Sequence, residues 1–148
     1  MKTNNQVEVI IFKDFGLEGF LFLMLKRNSQ KGGFWQPVTG NVEIGESFEE
    51  AALREVREEL GIKKLSRLFD TGYSFEFFDD GRTQKECVFG GLVSNDQPIV
   101  LSPEHTEFQW VTFEQAIGEF LKYPGNKDGL RKLNELLSGS VKEMTDEC

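Results

Sequence analysis

Cysteine, histidine, proline and positive charge are all scarce in this chain. It holds two cysteines, Cys87 and Cys148, and one histidine, His105. No C-x-x-C spacing occurs, so neither a thiolate zinc site nor a disulfide framework is expected. No apolar run approaches the roughly 20 residues of a membrane span. Met1 to Asn5 lacks the apolar segment of a signal peptide. Seventeen Lys and Arg face 25 Asp and Glu, giving a net charge of -8. Such a chain repels nucleic acid and anionic membrane except at a local basic patch, so no extended nucleic-acid surface is expected. These absences point to a reduced, cytoplasmic protein with a small-molecule partner. The oligomeric state stays open, a homodimer included. No repeat, linker or low-complexity block breaks the chain.

What is present suits one domain over residues 1–148, with one sizeable core. Fourteen phenylalanines make that core aromatic-rich. Cys87 lies in an apolar run and reads as a small buried hydrophobe. Val7 to Phe12 and Phe20 to Leu25 read as strands of a hairpin turning at Asp14-Phe15-Gly16. Asn28 to Gly33 is a polar loop. Phe34 to Thr39 is strand-like, with Pro37 marking an edge or an irregularity. Gly40 to Gly45 reads as a loop. Tyr73, Phe75 and Phe77 alternate as a half-buried strand does and form a core stripe. Asp79-Asp80-Gly81 is a turn before a returning strand, Glu86 to Val93. Phe108 to Val111 is a short strand. Phe113 to Leu121 and Lys127 to Leu137 read as amphipathic helices. The polar stretch from about residue 140 reads as a frayed, solvated tail.

The chemistry concentrates between Gly40 and Ile62. Ser47 to Leu60 is a predicted helix with a signal at each end. Ser47 and Glu50 have the spacing of a capping box, and Gly61 is the stop. Glu55, Glu58 and Glu59 are related by i, i+3 and i+4, so they share one helical face. Ala51 falls in the same sector. Ala52, Leu53, Val56 and Leu60 form the neighbouring apolar stripe, which should pack on a sheet. Three like charges on one face repel, and a hard divalent cation relieves the repulsion through carboxylate oxygens. Magnesium, which keeps several waters and takes phosphate oxygens, suits such a site; manganese is a possible substitute. Arg54 lies four residues after Glu50 and four before Glu58 and can brace both. Glu46, just before the helix, can fold back toward the cluster. The Gly40 carbonyl can add a metal ligand. A bare Glu triplet on a helix is more often a solvated acidic face than a site.

The whole segment says more. Gly40 to Ile62 fits G-x5-E-x7-R-E-U-x-E-E-x-G-U, with U a bulky aliphatic, at every specified position. This resembles the Nudix box. The resemblance implies an α/β fold: an α/β/α sandwich with a mixed sheet. It implies water attack at phosphorus of a nucleoside diphosphate linked to another moiety. Glu58 and Glu59 match the family's principal metal ligands, and Glu55 a ligand or general base. Glu46 matches a supporting acid, and Arg54 the residue that orients the acids.

Flanking segments add detail. Phe34-Trp35-Gln36-Pro37-Val38-Thr39-Gly40 resembles a segment of bacterial dihydroneopterin triphosphate and deoxyATP pyrophosphohydrolases. Glu104-His105, with Phe108 and Trp110 downstream, resembles another. By that likeness Glu104 is a further metal ligand and Arg27 a phosphate contact, with Phe34, Trp35 and Gln36 at the substrate. Phe34 and Trp35 can stack a purine or pterin ring; they can equally be core. His105 is favoured as a positioning or surface residue. Lys127, Arg131 and Lys132 read as a solvated helix face. The leading function is hydrolysis of a nucleoside or pterin triphosphate to a monophosphate and pyrophosphate. The alternatives are a dinucleoside polyphosphate or RNA 5′-end hydrolase and, in another class, a silent nucleotide-binding module. The intact glutamates argue against the last.

Overall fold

Alternation along the first strand, β1 (Lys2–Asp14), sets the architecture. Val7, Val9 and Ile11 face one cluster of buried side chains, and Ile10 and Phe12 face a second. A strand buried on both faces reads as a near-continuous apolar run, which is why Val7 to Phe12 stands out in the sequence. In the computed structural model, residues 2–79 and 81–139 are described. The strands that follow are β2 (Phe20–Arg27), β3 (Trp35–Gln36), β4 (Val38–Glu43), β5 (Arg67–Asp79), β6 (Arg82–Leu92) and β7 (His105–Val111). The helices are α1 (Phe48–Leu60), α2 (Phe113–Gln115), which runs on into a π turn over Ala116–Phe120, and α3 (Pro124–Ser138).

All seven strands join one mixed sheet. The order is β3-β2-β1-β6-β5, with β4 paired to β1 and β7 to β2. β1 runs parallel to β6 and antiparallel to β2 and β4. α1 buries Ala51, Ala52, Val56 and Leu60 against one face. Ala116 and Leu121, with Leu130 and Leu133 of α3, cover the other. The expected α/β/α layering is therefore present. Cys87 is fully buried, as its apolar setting required. No helix among the described residues is long and apolar enough to cross a membrane.

Three expectations need correction. Gly40 to Glu43 is strand, not loop: β4 pairs with β1 through Val9–Val38 and Val7–Gly40. Those bonds come from a distant segment and outweigh the local glycine and asparagine signal. Leu53 does not join the apolar stripe; it is 45% exposed, while Ala51 packs in the core. The aromatic stripe on β5 is only partly core. Tyr73 and Phe75 pack against the second cluster, whereas Phe77 lines a cleft that Phe75 also borders. Asp80 and the tail after Gly139, with Glu143, Asp146, Glu147 and Cys148, lie outside the described residues.

Candidate active site

α1 is fixed at both ends by its own sequence. Ser47 Oγ accepts from Glu50 N at 3.0 Å, and the Glu50 carboxylate accepts from Ser47 N at 2.8 Å. Gly61 ends the helix in the left-handed region at φ 69°, where glycine alone pays no steric cost. The helix is thus a rigid rod whose apolar side is set into the sheet.

Arg54 gathers the acids. Its Nε and Nη2 donate to the two oxygens of Glu46 at 2.7 and 3.0 Å. Nη1 donates to Glu55 at 2.8 Å and to Glu58 at 3.1 Å. Nη2 also donates to the Asn41 carbonyl at 2.8 Å, which ties α1 to β4. Arg54 does not brace Glu50, as the spacing had suggested, because the capping box already holds that carboxylate. Glu46 folds back as expected, and its bond with Arg54 holds it below the usual carboxylate range. The same bond raises the Arg54 guanidinium further above its ordinary value.

Glu55 and Glu59 are buried, and Glu58 faces solvent. Burial is the main force pushing the Glu55 carboxyl up to about 7; Arg54 pulls the other way, and the Glu59 and Glu58 charges add to the rise. Gly40 lies directly over Glu55: a Cβ there would sit 2.0 Å from the carboxyl carbon. Burial also pushes Glu59 up, but His105, Ser102 and Arg27 outweigh it and leave Glu59 below its ordinary value. Ser102 Oγ donates to Glu59 Oε1 at 2.7 Å. His105 Nδ1 is 3.1 Å from the same oxygen, without the alignment of a full hydrogen bond. His105 is 7% exposed, so it is not a surface residue.

The donor set suits a hard cation. Among the described residues, however, no three acidic, histidine or cysteine side chains converge on one point. Glu55 and Glu58 turn to Arg54, and Glu59 to Ser102 and His105. A divalent cation held by these acids would complete its shell with water and substrate oxygens, not inside a closed protein cage.

The flanking predictions divide. Arg27, Phe34 and Gln36 line a cleft of about 630 Å³ on the α3 side of the sheet, with Phe75, Phe77 and Tyr123. Arg27 also approaches Glu104 to 3.9 Å. Glu104 is half-exposed, on the same turn as Ser102 and His105, and its N–H donates weakly to Ser102 Oγ at 3.4 Å. Trp35 points elsewhere: it packs against the second core cluster and meets Phe120 edge-on at 5.1 Å. Of the predicted helix-face cations, Arg131 is exposed and pairs with Asp128 at 2.7 Å. Sequence reasoning missed Ser102, which carries no local signal. It also missed Glu8, Glu86 and Asn126 near the cleft. One sign was legible: Glu8 is the lone charge inside an otherwise apolar run, Val7 to Phe12.

A mixed sheet between helices, with an acid-bearing helix ordered by one arginine, defines the class of fold. Residues 4–133 match the NUDIX domain family, and the chain belongs to it. It is an enzyme of the Nudix pyrophosphohydrolase class. It is 34% identical to dihydroneopterin triphosphate diphosphatase of Haemophilus influenzae over 145 residues, 88% of this chain and 87% of that one. It is also 32% identical over 128 residues to an octanoyltransferase of Myxococcus xanthus; the match spans 85% of this chain but only 35% of that protein. The Ap4A hydrolase binary complex of C. elegans superposes with a TM-score of 0.78 at 26% identity, over 92% of this chain and 98% of that one.

Proposed function

We propose that this chain hydrolyses a phosphoanhydride bond in a nucleoside or pterin triphosphate, releasing pyrophosphate and a monophosphate. The observation that carries this reading is the place of Arg27. It borders the aromatic cleft and reaches toward Glu104 and Glu59, so a ring in the cleft directs its phosphates toward α1. Likeness to the Haemophilus influenzae diphosphatase supports the triphosphate, and likeness to the C. elegans Ap4A hydrolase supports the dinucleoside polyphosphate alternative. Glu55, Glu58 and Glu59 would hold magnesium, with the Gly40 carbonyl and Glu104 as further oxygen donors. Such an ion, when bound, would supply positive charge for the phosphates and acidify the attacking water. Arg54 and Glu46 act as positioning residues that hold the carboxylates in place. Arg27 neutralises phosphate. The protein works as a cytoplasmic single-domain enzyme.

Phosphate assays with and without added pyrophosphatase test this directly. Turnover of a triphosphate should yield pyrophosphate, stop in excess EDTA and return with magnesium. Glu59→Gln should lower kcat by roughly a hundredfold or more, since a ligand charge is lost at the reacting phosphate. Full turnover in EDTA refutes the mechanism. Cleavage of dinucleoside polyphosphates alone moves the assignment to that branch.

A further inference from the structure

The aromatic cleft borders a pair of acids. Glu8 and Glu86 are 0% and 5% exposed. β1 and β6 run parallel with Gln6 opposite Glu86, so Glu8 is the next residue along on the same face of the sheet. Gln6, Glu86 and Asn126 line the cleft beside Phe75, Phe77 and Tyr123. Asn126 Nδ2 donates to Glu8 Oε1. Glu8 Oε2 is buried and has no hydrogen-bond partner among the described residues. α3 closes over it at Gly129, where a Cβ would lie 3.1 Å away. No described cation pairs with Glu86; its carboxyl meets that of Glu8.

Two adjoining buried carboxyls cannot both ionise, so the pair shares a proton. Burial, followed by the charge of the adjoining Glu86, lifts Glu8 well above its usual value. Burial lifts Glu86 to about 7. Burying such a pair costs stability, and the next inward positions on this face, Ile10 and Val88, are aliphatic. A fold alone would be better served by more aliphatic side chains. Protonated Glu8, held by Asn126, can donate to Glu86. Glu86 then keeps free lone pairs at the cleft wall.

A carboxylate with free lone pairs matches a ring edge that carries an N–H next to an amino group, because it accepts both in parallel. Guanine and the 2-amino-4-oxo ring of pterins share that edge. Adenine sets its amino group beside a bare acceptor nitrogen, and hypoxanthine lacks the amino group. Phe34, Phe75 and Phe77 supply flat apolar surface for the ring. Arg27 lies where the phosphates must leave.

We propose that Glu86, backed by Glu8 and Asn126, is the specificity-determining residue of the cleft and selects a 2-amino-4-oxo heterocycle, guanine or pterin. This rests on the reading of the cleft as the ring site of a triphosphate substrate.

Calorimetric binding of monophosphates tests it without turnover, so its failure is separable from failure of the hydrolase reading. The full chain and Glu86→Gln are titrated with GMP, IMP, AMP and neopterin monophosphate, and each protein is melted as a folding control. GMP should bind about tenfold or more tighter than IMP or AMP, the discrimination expected when paired polar groups would otherwise be left unpaired. Glu86→Gln should lose that preference, with AMP and IMP changing less than about threefold. If pterin is the source, neopterin monophosphate binds tighter than GMP and shows the same loss. Should Glu86→Gln fail to fold, Glu86→Asp, which retracts the carboxylate by one methylene, must show that loss instead. The proposal is overturned if neither 2-amino-4-oxo ligand binds the unmodified chain more tightly than IMP. It is equally overturned if the preference survives substitution.

Discussion

At the scale of the residue, Gly40 shows how little room the site leaves. It lies in a strand, so its backbone does not require glycine. The requirement comes from Glu55, whose carboxyl atoms occupy the space a Cβ would take, at 2.0 to 2.5 Å. Gly40→Ala should therefore displace the Glu55 carboxyl while the strand stays paired. Displacement of a reacting group by about 1 Å is enough to cost roughly a hundredfold in rate. We expect kcat to fall by that order, with a melting temperature close to that of the unmodified chain, because the crowded atoms end a flexible side chain. Parallel kinetics and melting curves check this; an unchanged kcat contradicts the close approach. The sequence placed Gly40 in a loop and offered its carbonyl to a metal; it did not foresee the contact with Glu55. Glu55 is fifteen positions away on another element. Ser102 and His105 illustrate the same limit: they meet Glu59 only because β7 is carried back to β2.

At the scale of the element, legibility followed locality. The bounds of α1 were readable, since its cap, its stop and its acid face are all set within fifteen positions, although Leu53 and Ala51 were placed on the wrong faces. β4 was not, because its hydrogen bonds come from β1, some thirty residues earlier. β3 lies between these cases. Pro37 signalled an irregularity, and the strand does break there, but the two aromatic residues before it were left undivided between core and cleft. The structure divides them: Phe34 lines the cleft and meets Tyr123 edge-on at 5.5 Å, while Trp35 packs on Phe120. Trp35→Ala should cost about 3 kcal/mol, the low end for a large aromatic because the ring is only half-buried. Its KM should hardly move. Phe34→Ala should do the reverse, raising KM roughly tenfold at nearly constant stability, since stacking is binding energy shared by ground and transition states. Denaturant titrations and substrate curves on both variants separate the two, and a swapped pattern would reverse the assignment.

At the scale of the molecule, one sheet divides two tasks. The acids of α1 lie on one face and the cleft lies on the other, with Arg27 at the end of β2 between them. Burying Glu8 and Glu86 under α3 leaves a mark on stability that can be read without substrate. Both carboxyls are raised in the folded chain, Glu86 from 4.5 to about 7. Below pH 4.5 both states hold these protons, and the pair's contribution is fully present. As pH rises toward 7 the unfolded chain ionises first, so the unfolded state binds fewer protons and stability falls. Glu55 adds a slope of the same sign, while Glu46 and Glu59, both lowered, act in the opposite sense at lower pH. Glu8→Gln isolates the pair. Its amide can still accept from Asn126 and donate to Glu86, but it cannot take up a proton. The variant should melt higher than the unmodified chain at pH 8, and its melting temperature should fall less between pH 5.5 and pH 8. Calorimetric scans across that range decide the matter. Parallel curves for the two proteins would mean that the pair does not share a buried proton in the folded state.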